Sequence, residues 1–299
     1  MNHYFLNCRG KLVSLEKPLI MGILNVTQDS FYDGGCYRDE LSWLTHTEKM
    51  LADGADIIDV GCVSTAPGVI YRQAKGADII DVGCVSTRPG SRPITAKDET
   101  AQAVKVLTSL RKSFPEIIIS VDTYRADVAR ASADAGADII NDISGGMMDV
   151  NMFPTVAELH IPYILMHMQG TPETMQMKPS YTDVTKEILF FLSEKVCLLK
   201  RMGVNDIIID PGFGFGKTIE QNFHLLKDID FFKFLSHPLL IGVSRKSMIW
   251  KVLKSSPEKA LNGTSVLNTY ALLKKAGIIR VHDVKEAREC VELINFLSV

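Results

Sequence analysis

The 299-residue chain carries no excess of either charge: 33 Lys and Arg against 35 Asp and Glu leave a formal net charge of -2. Without a basic excess it has no global field to draw in nucleic acid. No apolar run approaches the roughly 18 residues that a membrane span requires; the longest, Ile188–Leu199, is broken by Glu194 and Lys195. Met1-Asn2-His3-Tyr4-Phe5 has no basic segment leading into an apolar stretch, so no secretory signal is expected and a cytoplasmic location is. The six cysteines (Cys8, Cys36, Cys62, Cys84, Cys197 and Cys290) form no CxxC pair. They read as buried or incidental thiols of a reducing compartment rather than zinc ligands or disulfide partners. A Walker phosphate loop is missing too: Asp210–Thr218, DPGFGFGKT, has Pro211 where GxxxxGK[ST] needs glycine.

What the chain does have is a set of short apolar runs, each ending in a polar residue. Ile117–Val121 ends in Asp122, Ala137–Ile140 in Asn141, and Ile207–Ile209 in Asp210. Leu239–Val243 leads to Ser244-Arg245-Lys246, and Ile278–Val281 carries Arg280 and ends in His282. Runs this short, separated by helix-length stretches, read as buried parallel strands of an α/β protein. With Leu19–Leu24 first and Tyr163–Met166 fifth, they count to eight β and eight α. The expected fold is a single (β/α)8 TIM barrel, one domain over 1–299, with a small hairpin at Tyr4–Leu15. An open doubly wound sheet is the runner-up; it would need a Gly-rich turn after strand one, where Asn25-Val26-Thr27-Gln28 stands. In either fold the carboxyl ends of the strands share one mouth, and the polar strand ends meet there.

A tandem duplication of 22 residues surrounds strand two. Gly54–Lys75 reads GADIIDVGCVSTAPGVIYRQAK and Gly76–Lys97 reads GADIIDVGCVSTRPGSRPITAK. A ninth strand would disturb the linked strand number and shear of a barrel, so one copy is strand two and the other an insertion. The second copy is favoured: it ends Ser86-Thr87-Arg88-Pro89-Gly90, where the first has Ala66 for the arginine, and it runs into a helix at Lys97–Lys112. The first has the direct link from helix one. The favoured placement puts the extra segment on the far face of the barrel, with a near-normal mouth and reduced stability.

Three loops carry chemistry. Met21–Gly35 offers Asn25, Asp29 and Asp33 as oxygen ligands of the kind Mg²⁺ takes. Asp210 precedes a glycine-rich stretch that lets backbone approach a ligand. Ser244-Arg245-Lys246-Ser247, beside Arg280 and His282, suits an anion. His167 is assigned to the pocket wall.

In order along Leu19–Ala287, the segments MGILNVTQDSF, STRPG, SVDT, INDISGG, LMHMQG, DPGFGFGK, GVSRKS and RVHDV resemble the dihydropteroate synthase family. The resemblance implies a transferase that joins 6-hydroxymethyl-7,8-dihydropterin pyrophosphate to p-aminobenzoate, giving 7,8-dihydropteroate and pyrophosphate. It implies that Asp210, Asn141 and Asp122 read the pterin edge. Lys246 corresponds to the lysine between the pterin and aminobenzoate pockets, and Arg280 to the arginine that stacks on the pterin; Asp122, Lys246 and Arg280 take the catalytic roles. Asn25, Arg88, Arg280 and His282 fall at the pyrophosphate, with Asn25 and Asp33 near Mg²⁺. Thr87, Pro89, Phe31, Phe215 and Ser247 fall at the aminobenzoate pocket, where sulfonamides also bind. A homodimer is implied as well. The chain departs from the family at Gln28, where proline is usual, at Cys84 and Val85, where glycine and glutamate are usual, and in the duplication. All bear on the aminobenzoate half of the site. Two other readings stay open: a pterin-dependent methyltransferase domain, and a pterin-binding protein that the duplication has deprived of catalysis.

Overall fold

The computed structural model describes residues 4–27, 36–63, 95–172, 174, 175, 177 and 179–297. An antiparallel hairpin comes first, β1 (Phe5–Cys8) and β2 (Lys11–Ser14). Its turn places Arg9 and Gly10 both at positive φ, 54° and 88°, which matches the twist of the flanking strands. The remaining strands are β3 (Leu19–Thr27), β4 (Ile57–Val63), β5 (Ile118–Asp122), β6 (Ile139–Asp142), β7 (Tyr163–Met166), β8 (Ile207–Asp210), β9 (Leu240–Ile241) and β10 (Ile278–Val281). They form one sheet in the order β8-β7-β6-β5-β4-β3-β10-β9, with every pairing parallel. A further parallel bridge, Ile209 to Leu239, joins the two edges and closes the barrel.

Helices occupy the connections: α1 (Cys36–Ala52), α2 (Ala96–Ser113), α3 (Ala126–Asp134), α4 (Met152–Leu159), α5 (Val184–Arg201), α6 (Ile219–Lys227), α7 (Ser247–Val252), α8 (Leu261–Leu273) and α9 (Val284–Leu297). Several ends are written in the sequence. Thr95 caps α2 by accepting from the Asp98 N–H, and Thr218 with Gln221 forms a capping box on α6. Sequence periodicity expects one helix over about Gln221–Phe234. The chain instead ends α6 at Lys227 and continues as a 3-10 helix, Ile229–Leu235. Strand seven, expected over Leu239–Val243, is only two residues long, because Val243 already turns back through its carbonyl to the Lys246 N–H.

Strand alternation sorts the residues into two cores. Outward positions such as Ile58, Ile119, Ile140, Ile209 and Ile279 pack against the helices. Inward positions at the amino ends of the strands make a separate apolar layer, which Leu6 and Cys8 of the hairpin cap from below. The barrel is therefore sealed at that end. The site sits one side-chain layer above it.

The duplication resolves against the expectation. Strand two is β4, from the first copy: Ile57–Val63 pairs with β3 on one side, and Ile57–Gly61 pairs with β5 on the other. The physical reason is the connection. α1 ends at Ala52, Gly54 takes φ +98°, and the Ala55 N–H bonds to the Met50 carbonyl, so the chain turns directly into the strand. The Arg288 guanidinium fixes that turn through the Gly54 carbonyl and Asp56, and Asp56 accepts from the Ile20 N–H. The connection that follows therefore starts at the carboxyl, mouth-side end of β4; residues 64–94, and with them the expected far-face placement of the extra segment, lie outside the described residues.

Candidate active site

Five polar strand residues stand two positions beyond an inward apolar one, and Asp122 stands two beyond Ser120. Asp59 follows Ile57, Ser120 follows Ile118, Asn141 follows Ile139, Asp210 follows Ile208, and Arg280 follows Ile278. The period of two that buries the isoleucines inside the barrel also aims these side chains into its upper half.

The structure brings Asp122, Asn141, Asp210, Lys246 and Arg280 to this one end. Arg280 Nε donates to Asp59 Oδ2 at 2.7 Å, and Arg280 Nη2 lies 3.5 Å from Asp122 Oδ2. Asn141 Nδ2 donates to the same Asp59 oxygen at 3.1 Å. Asp122 and Asn141 are register partners on β5 and β6. Asp210 accepts from the Gly212 N–H at 2.8 Å. Burial raises the Asp210 carboxyl above its ordinary pKa, against the Gly212 N–H and the charges of Lys246, Arg280 and Lys217, which act the other way.

Lys246 is buried at the start of α7; its Nζ donates to the Phe213 carbonyl and lies 4.5 Å from the centroid of the Phe215 ring. Ser247 follows it, half-buried, as the first residue of α7. The loop carrying both phenylalanines crosses the end of β7 so closely that only glycine fits at 212: a Cβ there would lie 1.9 Å from the His167 carbonyl oxygen. Between the β9 and β10 loops, Ser244 Oγ is 3.0 Å from His282 Nδ1 and accepts from the His282 N–H. Arg245 does not face a ligand there. It grips Asp283 with both edges of its guanidinium, Nε to Oδ2 at 2.8 Å and Nη2 to Oδ1 at 2.7 Å, and ties the β9 loop to the β10 loop.

Asn25 stands at the mouth end of β3 with its Oδ1 buried and without a hydrogen-bond partner. An amide oxygen so placed fits a hard cation. Among the described residues no group of three or more His, Cys, Asp or Glu could hold a metal ion. Asp33, Phe31, Thr87, Arg88 and Pro89 lie outside the described residues, as do Gln28, Cys84 and Val85.

Two residues of the site escaped the sequence reading. Asp59 was absorbed into the duplicated strand, although a carboxylate two positions after an inward isoleucine is the pattern of Asp210. In the sequence Lys217 stands in a stretch that lacks the first glycine of a phosphate loop, and nothing else there marks it. Its amine is buried between His167 and the carbonyls of Gly212 and Phe215.

A barrel closed below, with acceptors, an amide and a guanidinium above its floor, suits a flat heterocycle rich in N–H groups. The family model described as "Pterin binding enzyme" matches residues 21–75 and 70–282, its two segments meeting within the duplication. The dihydropteroate synthase of Streptococcus pyogenes serotype M6 is 40% identical over 292 residues, covering 96% of this chain and 98% of that protein. The Yersinia pestis dihydropteroate synthase, solved with a sulfonamide drug complex, superposes with a TM-score of 0.83 at 36% identity over 99% of both chains. That of Xanthomonas albilineans, solved with 7,8-dihydropteroate, gives 0.81 at 29% identity, again over 99% of both. The chain belongs to the dihydropteroate synthase family.

Proposed function

We propose that the protein condenses 6-hydroxymethyl-7,8-dihydropterin pyrophosphate with p-aminobenzoate, forming 7,8-dihydropteroate and releasing pyrophosphate. The observation that carries this reading is the convergence of Asp122, Asn141, Asp210 and Arg280 on one layer above a sealed apolar floor. Carboxylates accept paired hydrogen bonds from ring N–H and exocyclic amine groups, and a guanidinium plane offers a stacking face. Lys246, between the Phe213 carbonyl and the Phe215 ring, stands where the two substrates would adjoin.

In this mechanism the bond between the pterin methylene and the pyrophosphate oxygen breaks first, and the leaving group keeps the electron pair. The dihydropterin ring spreads the positive charge left behind, and Asp122 stabilises it electrostatically. Arg280 and His282, with Ser244 holding the imidazole, receive the departing anion. The neutral aniline nitrogen attacks the methylene and then sheds a proton. No nucleophile of the enzyme is needed. Mg²⁺ bound at Asn25, and in this reading at Asp33, would add charge neutralisation of the pyrophosphate. In this reading Phe215 and Ser247, with Thr87, Arg88, Pro89 and Phe31 from outside the described residues, would supply the remaining anion and aminobenzoate contacts.

Sulfonamides are the inhibitors this reading implies, competing for the aminobenzoate pocket, and the duplication falls in the loop that the family resemblance assigns to that pocket. A homodimer would be served by exposed apolar residues on the paired helices α8 and α9, among them Val266, Leu293 and Phe296. No described helix is long and apolar enough to cross a membrane; a cytoplasmic location belongs to the same reading. Pyrophosphate release that depends on added aminobenzoate tests the activity, and its absence in folded protein overturns it.

A further inference from the structure

We propose that Asp59 is the positioning residue of the pterin side of the site: it fixes the plane of the Arg280 guanidinium and the orientation of the Asn141 amide. This rests on the pterin-binding reading and goes beyond it. Asp59 is 0% exposed, on a strand whose inward neighbour below is the apolar Ile57. Packing alone would favour another aliphatic side chain there, because a buried carboxylate has lost its water. Both groups that repair the loss belong to the site. Arg280 Nε and Asn141 Nδ2 converge on the single oxygen Oδ2, at 2.7 and 3.1 Å. The other oxygen, Oδ1, is buried without a hydrogen-bond partner, as is Ser120 Oγ on the register partner across from it. Natural structures leave few such atoms, and those they leave need a reason beyond stability.

The geometry supplies that reason. With Nε bound to Asp59 and Nη2 lying toward Asp122, the guanidinium is held along an edge, and that edge contact fixes its plane. A lysine ammonium, being a point charge, has no plane to fix. The Asn141 contact decides an ambiguity that the amide alone would leave open. One Nδ2 hydrogen goes to Asp59, so Oδ1 and the second hydrogen are what Asn141 can present to a ligand. Asp59 thereby selects which edge of a heterocycle Asn141 can read.

The duplication gives this proposal an internal control. Asp81 is the same residue in the second copy and lies outside the described residues, whereas the register places Asp59 in the barrel. The test compares Asp59→Asn, Asp59→Glu, Asp81→Asn, Arg280→Lys and the double variant Asp59→Asn with Arg280→Lys. Readouts are steady-state kinetics in each substrate, calorimetric titration with the pterin pyrophosphate, and thermal melting. Asp59→Asn is expected to raise KM and Kd for the pterin substrate tenfold or more while KM for p-aminobenzoate stays within twofold. Asp81→Asn is expected within twofold of the parent throughout. The double variant is expected to lose less than the sum of the two single losses, because the part of the Asp59 effect that runs through Arg280 is already gone in Arg280→Lys, while the Asn141 part remains. Asp59→Glu keeps the charge and is expected to recover part of the lost pterin affinity, which a purely packing role would not allow for a bulkier side chain. If Asp59→Asn melts too early to assay, Asp59→Glu alone must still show a raised pterin KM with an unchanged aminobenzoate KM. Unaltered pterin binding in Asp59→Asn, the loss appearing in Asp81→Asn instead, or additive losses in the double variant would each overturn the proposal. An inactive parent enzyme would count against the proposed function, and the pterin titration would still report on Asp59.

Discussion

Lys217 Nζ lies 3.2 Å from His167 Nδ1 in the interior of the β7 and β8 loops, where neither side chain meets solvent freely. Lys217 also donates to the carbonyls of Gly212 at 2.7 Å and Phe215 at 3.0 Å, and so braces the loop whose Phe213 and Phe215 flank Lys246. Burial, helped by the charge of Lys246 and opposed by Asp210, holds its amine well below the ordinary lysine pKa. Between that lowered value and the ordinary one near 10.5, the unfolded chain binds more protons than the folded one. Stability from this group therefore rises with pH through that window. Lys217→Met should lose about 1–3 kcal/mol by leaving the two carbonyls unpaired. Thermal melting at pH 7 and pH 10 checks the linkage: the gap between parent and variant should widen with pH. A gap that stays constant or narrows would count against a lysine pKa lowered by burial.

His167 gives the opposite end of the profile. Burial, and then the neighbouring Lys217, lower its pKa from 6.5 to about 2. Its contribution is complete above 6.5 and is lost as pH falls from there, because only the unfolded imidazole takes up a proton. Asp210, Asp142 and Glu99, with carboxyls raised by burial, work against this loss, since the folded chain holds their protons longer. Melting measured from pH 7 to pH 4 should fall less steeply in His167→Gln than in the parent. Equal slopes would show that His167 does not govern the acid limb.

Asp210→Asn should weaken binding of the pterin pyrophosphate by about 1–3 kcal/mol, roughly tenfold or more, because an amide cannot accept two parallel N–H bonds. The fold should hold, since the Gly212 N–H can still donate to the remaining oxygen. Calorimetric titration and melting separate the two effects. Unchanged affinity would place the pterin edge elsewhere.

The duplication allows an unusually clean deletion. Removing Gly54–Lys75 and removing Ala66–Thr87 yield the same sequence, which retains one strand and places Arg88 directly after it. Shortening the connection after Val63 lowers its closure cost by about 1 kcal/mol, a rise in Tm of roughly 2–4 °C. Because the connection after β4 starts at the mouth end of the strand, the deletion should also change the ratio of sulfonamide inhibition constant to aminobenzoate KM several-fold. Kinetics with a sulfonamide and with p-aminobenzoate measure it directly. An unchanged ratio would mean that the extra segment lies clear of the pocket.

Much of this architecture was legible in the sequence, for one reason. A closed barrel imposes a strict period of two, so Asp122, Asn141, Asp210 and Arg280 betray themselves as polar residues at the ends of runs that are otherwise apolar. The hairpin at Asn7–Gly10 was legible through its turn chemistry. The choice between the two copies was not, because their first twelve residues are identical and share every propensity and burial preference. Only the short link from Ala52 through Gly54, fastened by Arg288, distinguishes them. Lys217 could not be read either: nothing local marks a lysine as buried when its partners are the carbonyls of its own loop. The 3-10 segment Ile229–Leu235 was mistaken for helix because its apolar spacing mimics one over so short a span.

The most direct test of the account is the stoichiometry of turnover. Purified protein is mixed with 6-hydroxymethyl-7,8-dihydropterin pyrophosphate, p-aminobenzoate and Mg²⁺, and both products are quantified, dihydropteroate by mass spectrometry and pyrophosphate by a coupled assay. The account predicts one pyrophosphate per dihydropteroate, with neither formed at an appreciable rate when aminobenzoate is withheld. Folded protein that binds the pterin substrate yet forms no dihydropteroate would contradict it.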